Sequence, residues 1–337
     1  MTHTMKKLIA MLLASVCMTA HANAPVYGPE LQGFEYPAPL AHFEFAAQGQ
    51  TLRMAYLDYQ PEQPNGHSVV LMHGKNFCAA TWHETAQFLQ QAGFRVIAPD
   101  QIGFCKSAKP QHYDYSFSAL ANNTHALLAS LKIDKATVIG HSMGGMLATR
   151  YALTYPQQVA QLVLVNPLGL EDWKQMGVPS LSAAQWLARE EAFTDERLRN
   201  YERNAYYAGE WKDEYEPWVQ MIAGMYRGEG KHTVAQHSAW TYQMIFEQPV
   251  VHEFAQIKVP TFLMIGVKDN SALGKDWAQE PLKSQLGNYR AMALRAIKTI
   301  PGARLVLFPD LGHAPQIQNF DRFKTALINN LVVLDKD

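Results

Sequence analysis

The chain has 337 residues, of which 48% are hydrophobic, and its formal net charge at pH 7 is −1. A chain of this length and composition can bury one large core. Its near-zero charge argues against binding to nucleic acid or to an anionic membrane surface. Beyond the N-terminus, no stretch of the sequence is long and apolar enough to span a bilayer, so we expect no stable membrane insertion.

The N-terminus has the pattern of an export signal. Lys6 and Lys7 precede an apolar stretch at residues 8–20, and small residues follow it. We expect cleavage after Ala22, with a cut two residues later as the alternative. Residues 1–22 are thus predicted to be a signal peptide, and the mature protein is expected to be periplasmic or secreted.

Three cysteines bear on the compartment. Cys17 lies inside the predicted signal peptide, and the bulky Val16 before it argues against a lipid anchor. Cys78 and Cys105 remain in the mature chain, and two cysteines in an oxidising compartment can pair.

Residues 23–41 are rich in proline and glycine and are predicted to form an irregular N-terminal arm. Short apolar strands then alternate with segments of helical spacing, which is typical of a mostly parallel sheet with helices on both faces. The first two strands flank a tight turn at 48–50 and predict a β-hairpin. The eight predicted strands are His42–Ala47, Thr51–Tyr59, Val69–Met72, Phe94–Ala98, Ala136–Ile139, Val159–Val165, Val259–Ile265 and Arg304–Phe308. The predicted helices are Thr81–Ala92, Ser116–Leu131, Met143–Tyr155, Tyr289–Lys298 and Phe320–Val333.

The segment 168–250 interrupts this alternation. It is helical in propensity and contains five of the seven tryptophans of the chain, together with many tyrosines. A connection this long between two strands is unusual, so we interpret it as a helical cap inserted between core segments 42–167 and 251–337. Most of its aromatic residues are expected to hold the cap together. A few should face a pocket, because pockets are lined mainly by apolar and aromatic side chains.

A Gly-x-Ser-x-Gly motif at 140–144 lies between a predicted strand and a predicted helix. A strand that turns into a helix at one residue strains the backbone there, and neighbouring side chains larger than hydrogen would collide. Gly140 and Gly144 clear that space and leave the hydroxyl of Ser142 at the tip of the turn. Free N–H groups and the positive end of the helix dipole point at the same place. The motif therefore suits a serine nucleophile whose attack generates an oxyanion.

A serine nucleophile needs a base to take its proton, and the base needs a carboxylate to hold its tautomer. In an open sheet these partners come from loops after later strands, in the order serine, acid, histidine. Asp269 and His313 follow the last two predicted strands. Asp310 is closer in sequence to His313, but its place on the turn favours capping of local backbone.

The chain resembles the α/β-hydrolase superfamily, in its branch with a helical cap. The resemblance rests on Gly-His-Ser-Met-Gly-Gly at 140–145, His-Gly at 73–74, Asp-Gln-Ile-Gly-Phe-Cys-Lys-Ser at 100–107, Asp269 and Gly312-His313. It implies an α/β-hydrolase fold with an inserted helical cap, with Ser142 as nucleophile, Asp269 as acid and His313 as base. Some relatives place the acid at the position of Asn166, but asparagine cannot be the anionic member.

The resemblance also implies an oxyanion hole made of two backbone N–H groups. One belongs to Met143 and the other to Lys75, with Asn76 as the alternative to Lys75. The Lys75 side chain departs from the family pattern, either as a solvated ammonium or as a cation at the pocket rim that favours an acidic substrate. The residues expected to contact substrate are aromatic: Phe77, Trp173 and Trp240.

Cys105 is a second departure, because relatives commonly have glycine there. In this fold the strands before Cys78 and Cys105 are neighbours, so their loops emerge side by side at the active-site edge. We predict a Cys78–Cys105 disulfide that fixes the oxyanion loop, with two free thiols as the alternative.

The resemblance implies a serine hydrolase, and we expect it to cleave a carboxylic ester or lactone through an acyl-enzyme. The aromatic residues of the predicted cap suggest a medium-sized small molecule with an apolar or aromatic part. Serine at the elbow argues against epoxide hydrolases and haloalkane dehalogenases, which use aspartate there. Carbon–carbon bond hydrolases, aminopeptidases or amidases, and perhydrolases stay open on the same triad. A non-catalytic binding protein is disfavoured because no triad member is missing. No cofactor or metal is expected, since the histidines are scattered and neither cysteine has Cys-x-x-Cys spacing. The oligomeric state stays open.

Overall fold

A computed structural model describes residues 24–331. The predicted signal peptide at 1–22 therefore lies outside the described residues and stays a prediction. Within 24–331, no helix combines the length and apolar character needed to cross a membrane.

One eight-stranded sheet forms the centre of the fold. Its strands are β1 Leu40–Ala47, β2 Gln50–Tyr59, β3 Ser68–Met72, β4 Arg95–Pro99, β5 Ala136–His141, β6 Val159–Val165, β7 Thr261–Gly266 and β8 Arg304–Phe308. They lie in the order β1-β2-β4-β3-β5-β6-β7-β8. The pairs β1/β2 and β2/β4 are antiparallel, and all others are parallel. The predicted fold class, a mostly parallel eight-stranded α/β sheet, is confirmed.

Burial along the strands follows from their sequences. Every residue of β5 and β7 is buried, as near-continuous apolar runs predict for strands covered on both faces. β1 is an edge strand, and its exposure alternates along most of its length. In the hairpin between β1 and β2, Gln48 and Gly49 both have positive φ, 49° and 74°, which suits the twist of the two strands.

Helices cover both faces of the sheet and fill the long β6–β7 connection. They are α1 His83–Gln91, α2 Phe117–Ser130, α3 Met143–Thr154, α4 Ala183–Glu191, α5 Asp195–Tyr201, α6 Glu216–Arg227, α7 Lys231–Glu247, α8 Leu282–Gln285, α9 Tyr289–Thr299, α10 Pro315–Gln318 and α11 Phe320–Ile328. Short 3₁₀ turns occur at Ala79–Trp82, Pro156–Gln158, Asp213–Tyr215 and Val251–Gln256, and a π-helical turn at Glu202–Tyr206 follows α5.

The last helix is shorter than predicted. The sequence pattern suggested a helix over Phe320–Val333, but α11 ends at Ile328. The side-chain amide of Asn330 donates to the carbonyl oxygen of Ala326 at 2.9 Å. Asparagine competes for backbone groups in this way, so it ends the helix where apolar spacing alone would extend it.

Helices α4 to α7 lie within residues 168–250, which we call the inserted segment. The N-terminal arm packs against it, since the N–H of Tyr27 donates to the carbonyl of Gly224 at 2.9 Å. The guanidinium of Arg227 donates to the carbonyl of Pro25 at 2.6 Å. The division of the chain into arm, core and cap domains stays a prediction, but the inserted segment is where the helices of the β6–β7 connection are found.

Candidate active site

Ser142 lies at a tight turn between β5 and α3. Its φ and ψ are 57° and −123°, a region that costs energy for any residue with a side chain. A β-carbon on Gly140 would lie 2.1 Å from the Gly144 carbonyl oxygen, and one on Gly144 would lie 2.2 Å from that of Met72. The two glycines are therefore required by close packing, as the motif indicates.

Asp269 and His313 meet at the ends of β7 and β8. Nδ1 of His313 lies 2.6 Å from Oδ2 of Asp269, and both side chains are buried. If Nδ1–H donates to the carboxylate, Nε2 keeps its lone pair, which is the atom a general base uses. Ser142 and His313 line the same cavity, although no hydrogen bond joins their side chains within the described part of the chain. Such contacts often tighten only when substrate binds.

Two further donors hold the Asp269 carboxylate. The backbone N–H of Ser271 donates to Oδ1 at 2.8 Å, and the Asn166 side chain donates to Oδ2 at 2.9 Å. Oδ1 of Asn166 also accepts from the N–H of Gly266 at 2.7 Å. Asn166, at the position where some relatives carry the acid, thus links the ends of β6 and β7 and orients the carboxylate. The sequence analysis did not predict this supporting role.

Asp310 lies outside the pair formed by Asp269 and His313 and makes an ion pair of its own. Both its carboxylate oxygens accept from one guanidinium nitrogen of Arg322, at 2.6 and 2.8 Å, on the protein surface. Its carboxylate also interacts with its own backbone N–H, so the exposed ion pair with α11 adds to the expected contact with local backbone.

The neighbouring histidines support the loops around Ser142. Nε2 of His141 donates to the carbonyl of His313 at 2.8 Å. Burial, reinforced by the nearby His313, holds the pKa of His141 well below its usual value, so the ring is neutral. His73 bonds Gly74 through Nδ1 and accepts from the N–H of Gln101 through Nε2, at 2.8 and 3.0 Å, and burial lowers its pKa.

The loop after β3 touches the serine. A β-carbon on Gly74 would lie 3.0 Å from Cβ of Ser142. The backbone N–H groups of Lys75, Asn76 and Met143 have no hydrogen-bond acceptor among residues 24–331. This geometry is compatible with the predicted oxyanion hole and leaves both Lys75 and Asn76 as partners for Met143.

Cys78 and Cys105 join two of the loops at this edge. Their sulfur atoms lie at disulfide distance, with Cα atoms 5.9 Å apart, as the predicted bridge requires. Cys105 has φ of 44°, in the left-handed region that favours glycine. This conformation accounts for the glycine that relatives carry there.

Within the described residues, the one cluster of potential metal ligands is Cys78, Asp100 and Cys105. The bridge occupies both sulfurs. The Asp100 carboxylate already accepts from the N–H groups of Ala79 and Lys106, at 2.7 and 3.0 Å. The cluster therefore offers no thiolate ligands while the bridge is intact.

A cavity of about 680 Å³ lies over Ser142, between the strand ends and the inserted segment. Its α7 wall comes from one helical face with spacings of three and four residues: Val234, Ser238, Thr241, Tyr242 and Ile245. Its other aromatic lining residues are Phe104, Trp186, Phe193, Tyr201, Tyr206, Tyr226 and Trp277.

The three aromatic residues predicted to contact substrate do not line this cavity. Phe77 is buried behind it and stacks on Tyr206, with ring centroids 5.4 Å apart. Trp173 is buried, and its indole N–H donates to Glu171 at 3.0 Å. Trp240 points off the cavity-lining face of α7 and packs edge-on against His237. The prediction is corrected, because aromatic content alone does not tell which way each helix faces.

Tyr206, in the π-helical turn, is a site residue that the sequence analysis missed. Its ring stacks on His313, with centroids 4.7 Å apart, and its hydroxyl accepts from the Asn76 side chain at 3.1 Å. It thereby contacts both the histidine and the loop after β3. The only sequence signal was its place in a tyrosine-rich stretch of the inserted segment.

Lys75 directs its side chain across the cavity. Nζ donates to Oγ of Ser238 at 2.6 Å and lies 4.2 Å from the ring centroid of Tyr242. Oγ of Ser238 in turn donates to the carboxylate of Glu190. Burial lowers the pKa of Lys75 to about 8, with Glu190 opposing the shift. Of the two predicted alternatives, the solvated ammonium is wrong, since the ammonium lies inside the cavity.

Comparison with known proteins gives three informative relatives. A solved structure from Pseudomonas aeruginosa PAO1, described as a probable hydrolytic enzyme, is 58% identical, covers 92% of this chain and 99% of its own, and has a TM-score of 0.91. Lipase 1 of Psychrobacter immobilis is 27% identical over 265 residues, which are 76% of this chain and 74% of the lipase. An uncharacterized protein of Mycobacterium tuberculosis is 41% identical over 106 residues, so this chain spans only 30% of that relative's length.

A sequence profile described as "alpha/beta hydrolase fold" matches residues 67–320, well over half of the chain. The match includes Ser142, Asp269 and His313, and membership of this family supports a hydrolase activity. The chain belongs to the alpha/beta hydrolase fold family.

Proposed function

We propose that this hydrolase cleaves a carboxylic ester or lactone through an acyl-enzyme. Ser142 is the nucleophile, His313 the general base and Asp269 the acid that orients it. The observation that carries the proposal is the 2.6 Å contact between His313 and Asp269, both buried, beside a strained serine that opens into the same cavity.

Acylation follows from this arrangement. Nε2 of His313 takes the proton of Ser142, and Oγ attacks the substrate carbonyl while Asp269 stabilises the imidazolium. The N–H groups of Lys75 and Met143 hold the oxyanion of the tetrahedral intermediate. The intermediate collapses, and His313 gives its proton to the departing alkoxide, which in a lactone stays attached to the acyl chain.

Deacylation repeats the same proton transfers with water. His313 takes a proton from a water molecule, the resulting hydroxide attacks the acyl-enzyme carbonyl, and the oxyanion returns to the same two N–H groups. Collapse breaks the bond to Ser142, and His313 returns the proton to Oγ. The free enzyme and a carboxylic acid result.

The name of the Psychrobacter relative, a lipase, favours an ester as substrate. A cavity of about 680 Å³ lies within the usual range for sites that enclose a small molecule. We propose that the inserted segment is the cap over this site, and that its aromatic lining binds an apolar or aromatic part of the substrate.

We also propose that residues 1–22 export the protein to the periplasm or beyond. The Cys78–Cys105 bridge supports this assignment, because structural disulfides persist in oxidising compartments and are rare in the cytosol.

Labelling with a fluorophosphonate probe, together with p-nitrophenyl butyrate hydrolysis, tests the proposal. We expect one label per wild-type chain, none on Ser142→Ala, and a loss of kcat/KM of about 10⁴- to 10⁶-fold in that variant. Ser284→Ala, an exposed serine outside the cavity, is the matched control and should behave as wild type. Equal labelling of Ser142→Ala and wild type would falsify the assignment.

A substrate panel separates the ester reading from its rivals. p-Nitrophenyl esters of graded chain length are compared with lactones, aminoacyl amides and vinylogous diketones, whose hydrolysis breaks a carbon–carbon bond, under one set of conditions. The proposal expects the highest kcat/KM on an ester or a lactone. A higher value on an amide or a carbon–carbon bond substrate reassigns the bond while keeping the nucleophile.

A further inference from the structure

The charge of the cavity wall is unlike that of a purely apolar acyl pocket. Six basic side chains line it, namely Lys75, Lys109, Arg189, Arg197, Lys275 and Lys283. Only two acidic side chains do so, Glu190 and Asp276.

The two acidic groups are already engaged. Asp276 pairs with Arg189, and Glu190 is linked to Lys75 through Ser238. The other four basic side chains of the lining have no carboxylate partner within residues 24–331, either directly or through Ser238; they are Lys109, Arg197, Lys275 and Lys283. A cleft lined by an excess of one charge focuses its field and raises the local concentration of ligands of the opposite charge.

Two of the lysines have hydrogen-bonding capacity to spare. Lys75 Nζ makes one hydrogen bond, to Ser238, and Lys109 Nζ makes one, to the carbonyl of Cys105 at 2.9 Å. An ammonium has three N–H donors, so each lysine has two without a hydrogen-bond acceptor among residues 24–331, although Lys75 Nζ also lies over the ring of Tyr242. Burial lowers the pKa of both to about 8, which reflects the cost of holding these charges away from water.

Both lysines line the cavity into which Ser142 opens. Lys75 belongs to the loop that contacts Ser142, and its Nζ lies 5.9 Å from the ring centroid of Phe104. Lys109 is on the next loop of the same wall, which the Cys78–Cys105 bridge joins to the first. Phe104 adjoins Cys105, whose carbonyl accepts from Lys109 Nζ, so both ammoniums lie beside this second loop, in the cavity that also holds Ser142.

We propose that Lys75 and Lys109 form an anion subsite for a carboxylate on the acyl part of the substrate, so that the enzyme prefers half-esters of dicarboxylic acids. The carboxylate accepts the spare N–H donors, and the Lys75–Ser238–Glu190 network holds the ammonium in place when the site is empty. This inference rests on the proposed function, which supplies the ester carbonyl at Ser142.

Kinetics with matched substrates test the subsite. The mono-p-nitrophenyl esters of succinate, glutarate and adipate are compared with the corresponding p-nitrophenyl esters whose distal carboxylate is methylated. We expect a higher kcat/KM on at least one free acid than on its methyl ester. Lys109→Met should lower that ratio by about 10- to 100-fold, the range expected for a lost charge-assisted hydrogen bond.

The controls separate recognition from general damage. Lys258→Met removes an exposed lysine outside the cavity and should leave the ratio unchanged. For Lys75→Met the ratio of kcat/KM on the free acid to kcat/KM on its methyl ester is again the measured quantity. A merely structural loss would lower kcat/KM on both substrates together and leave the ratio unchanged. A wild-type ratio of one or less, or a ratio that neither lysine variant changes, overturns the inference.

A binding measurement keeps this test independent of the hydrolase assignment. Calorimetry on Ser142→Ala compares monomethyl glutarate with dimethyl glutarate, and we expect only the former to bind, with affinity reduced by Lys109→Met. If wild type hydrolyses none of the p-nitrophenyl esters, the proposed function fails, while this binding result still decides the anion subsite. Equal binding of the two ligands rejects it.

Discussion

The Cys78–Cys105 bridge allows a prediction with two separable parts. Its ends are 27 residues apart in sequence, and the loop-closure relation gives about 3.5 kcal/mol of stabilisation for that separation at 25 °C. Cys105 has φ of 44°, a left-handed conformation that costs a residue with a side chain roughly 1–2 kcal/mol. The bridge therefore stabilises the fold while holding one of its residues in an unfavourable conformation.

Two double variants separate these contributions. Cys78→Ala with Cys105→Ala loses the bridge and keeps the strain, and we expect its melting temperature to fall by about 5–10 °C. Cys78→Ala with Cys105→Gly loses the bridge and relieves the strain. After allowing for the extra freedom of glycine in the unfolded chain, it should be more stable than the alanine pair by about 1 kcal/mol.

Urea unfolding followed by tryptophan fluorescence gives the free energy of unfolding of the wild type and both variants. Cys78→Ala alone is the control for the loss of the bridge with Cys105 retained, measured with reductant present to prevent intermolecular pairing. If the alanine pair proves as stable as the glycine pair, the conformational reasoning is wrong. If neither pair differs from wild type, the bridge does not contribute as calculated.

Three further predictions concern the site. Asp269→Asn should lower kcat by about 10³- to 10⁴-fold without unfolding the chain. Asn166→Ala should lower kcat less, because it only loosens the Asp269 carboxylate, and circular dichroism checks that both variants are folded. Tyr206→Phe keeps a ring stacked on His313 and should retain most of the activity. Tyr206→Leu should lower kcat at least about tenfold with little change in KM. Equal losses of kcat in the two variants would contradict the stacking role. Between about pH 8 and pH 9.5, folded protein releases protons from Lys75 and Lys109 while unfolded protein keeps them. The free energy of unfolding should therefore rise with pH in wild type, relative to a variant with Met at both positions. Parallel pH profiles of the free energy of unfolding for the two proteins would refute this.

The sheet and the elbow were predictable because their signals are local. Apolar runs of five to seven residues identify strands such as β6 and β8, whose bounds match the prediction, and Gly-x-Ser-x-Gly marks a turn where close packing demands glycine. The order of serine, acid and histidine then follows from the topology of the sheet. These inferences needed no knowledge of how distant side chains meet.

The substrate side of the site was not predictable in the same way. Trp240 and Tyr242 are two residues apart on α7, which places them on roughly opposite faces, and only Tyr242 lines the cavity. Which face turns inward depends on how α7 packs against α4 and on the loops below, none of which leaves a periodic signal. The same holds for the stacking of Tyr206 on His313 and for the direction of the Lys75 side chain.

The π-helical turn has a consequence for engineering this enzyme. The N–H groups of His313 and Ala314 donate to the carbonyls of Ala205 and Tyr206, at 3.1 and 3.3 Å. The side chain of Gln318 donates to the carbonyl of Tyr207 at 3.1 Å. Backbone carbonyls of the inserted segment thus hold the loop that carries His313 in place. A chimera that exchanges the whole inserted segment would lose these hydrogen bonds together with the original pocket. An exchange limited to α6–α7 keeps residues 205–207 and so keeps the bonds.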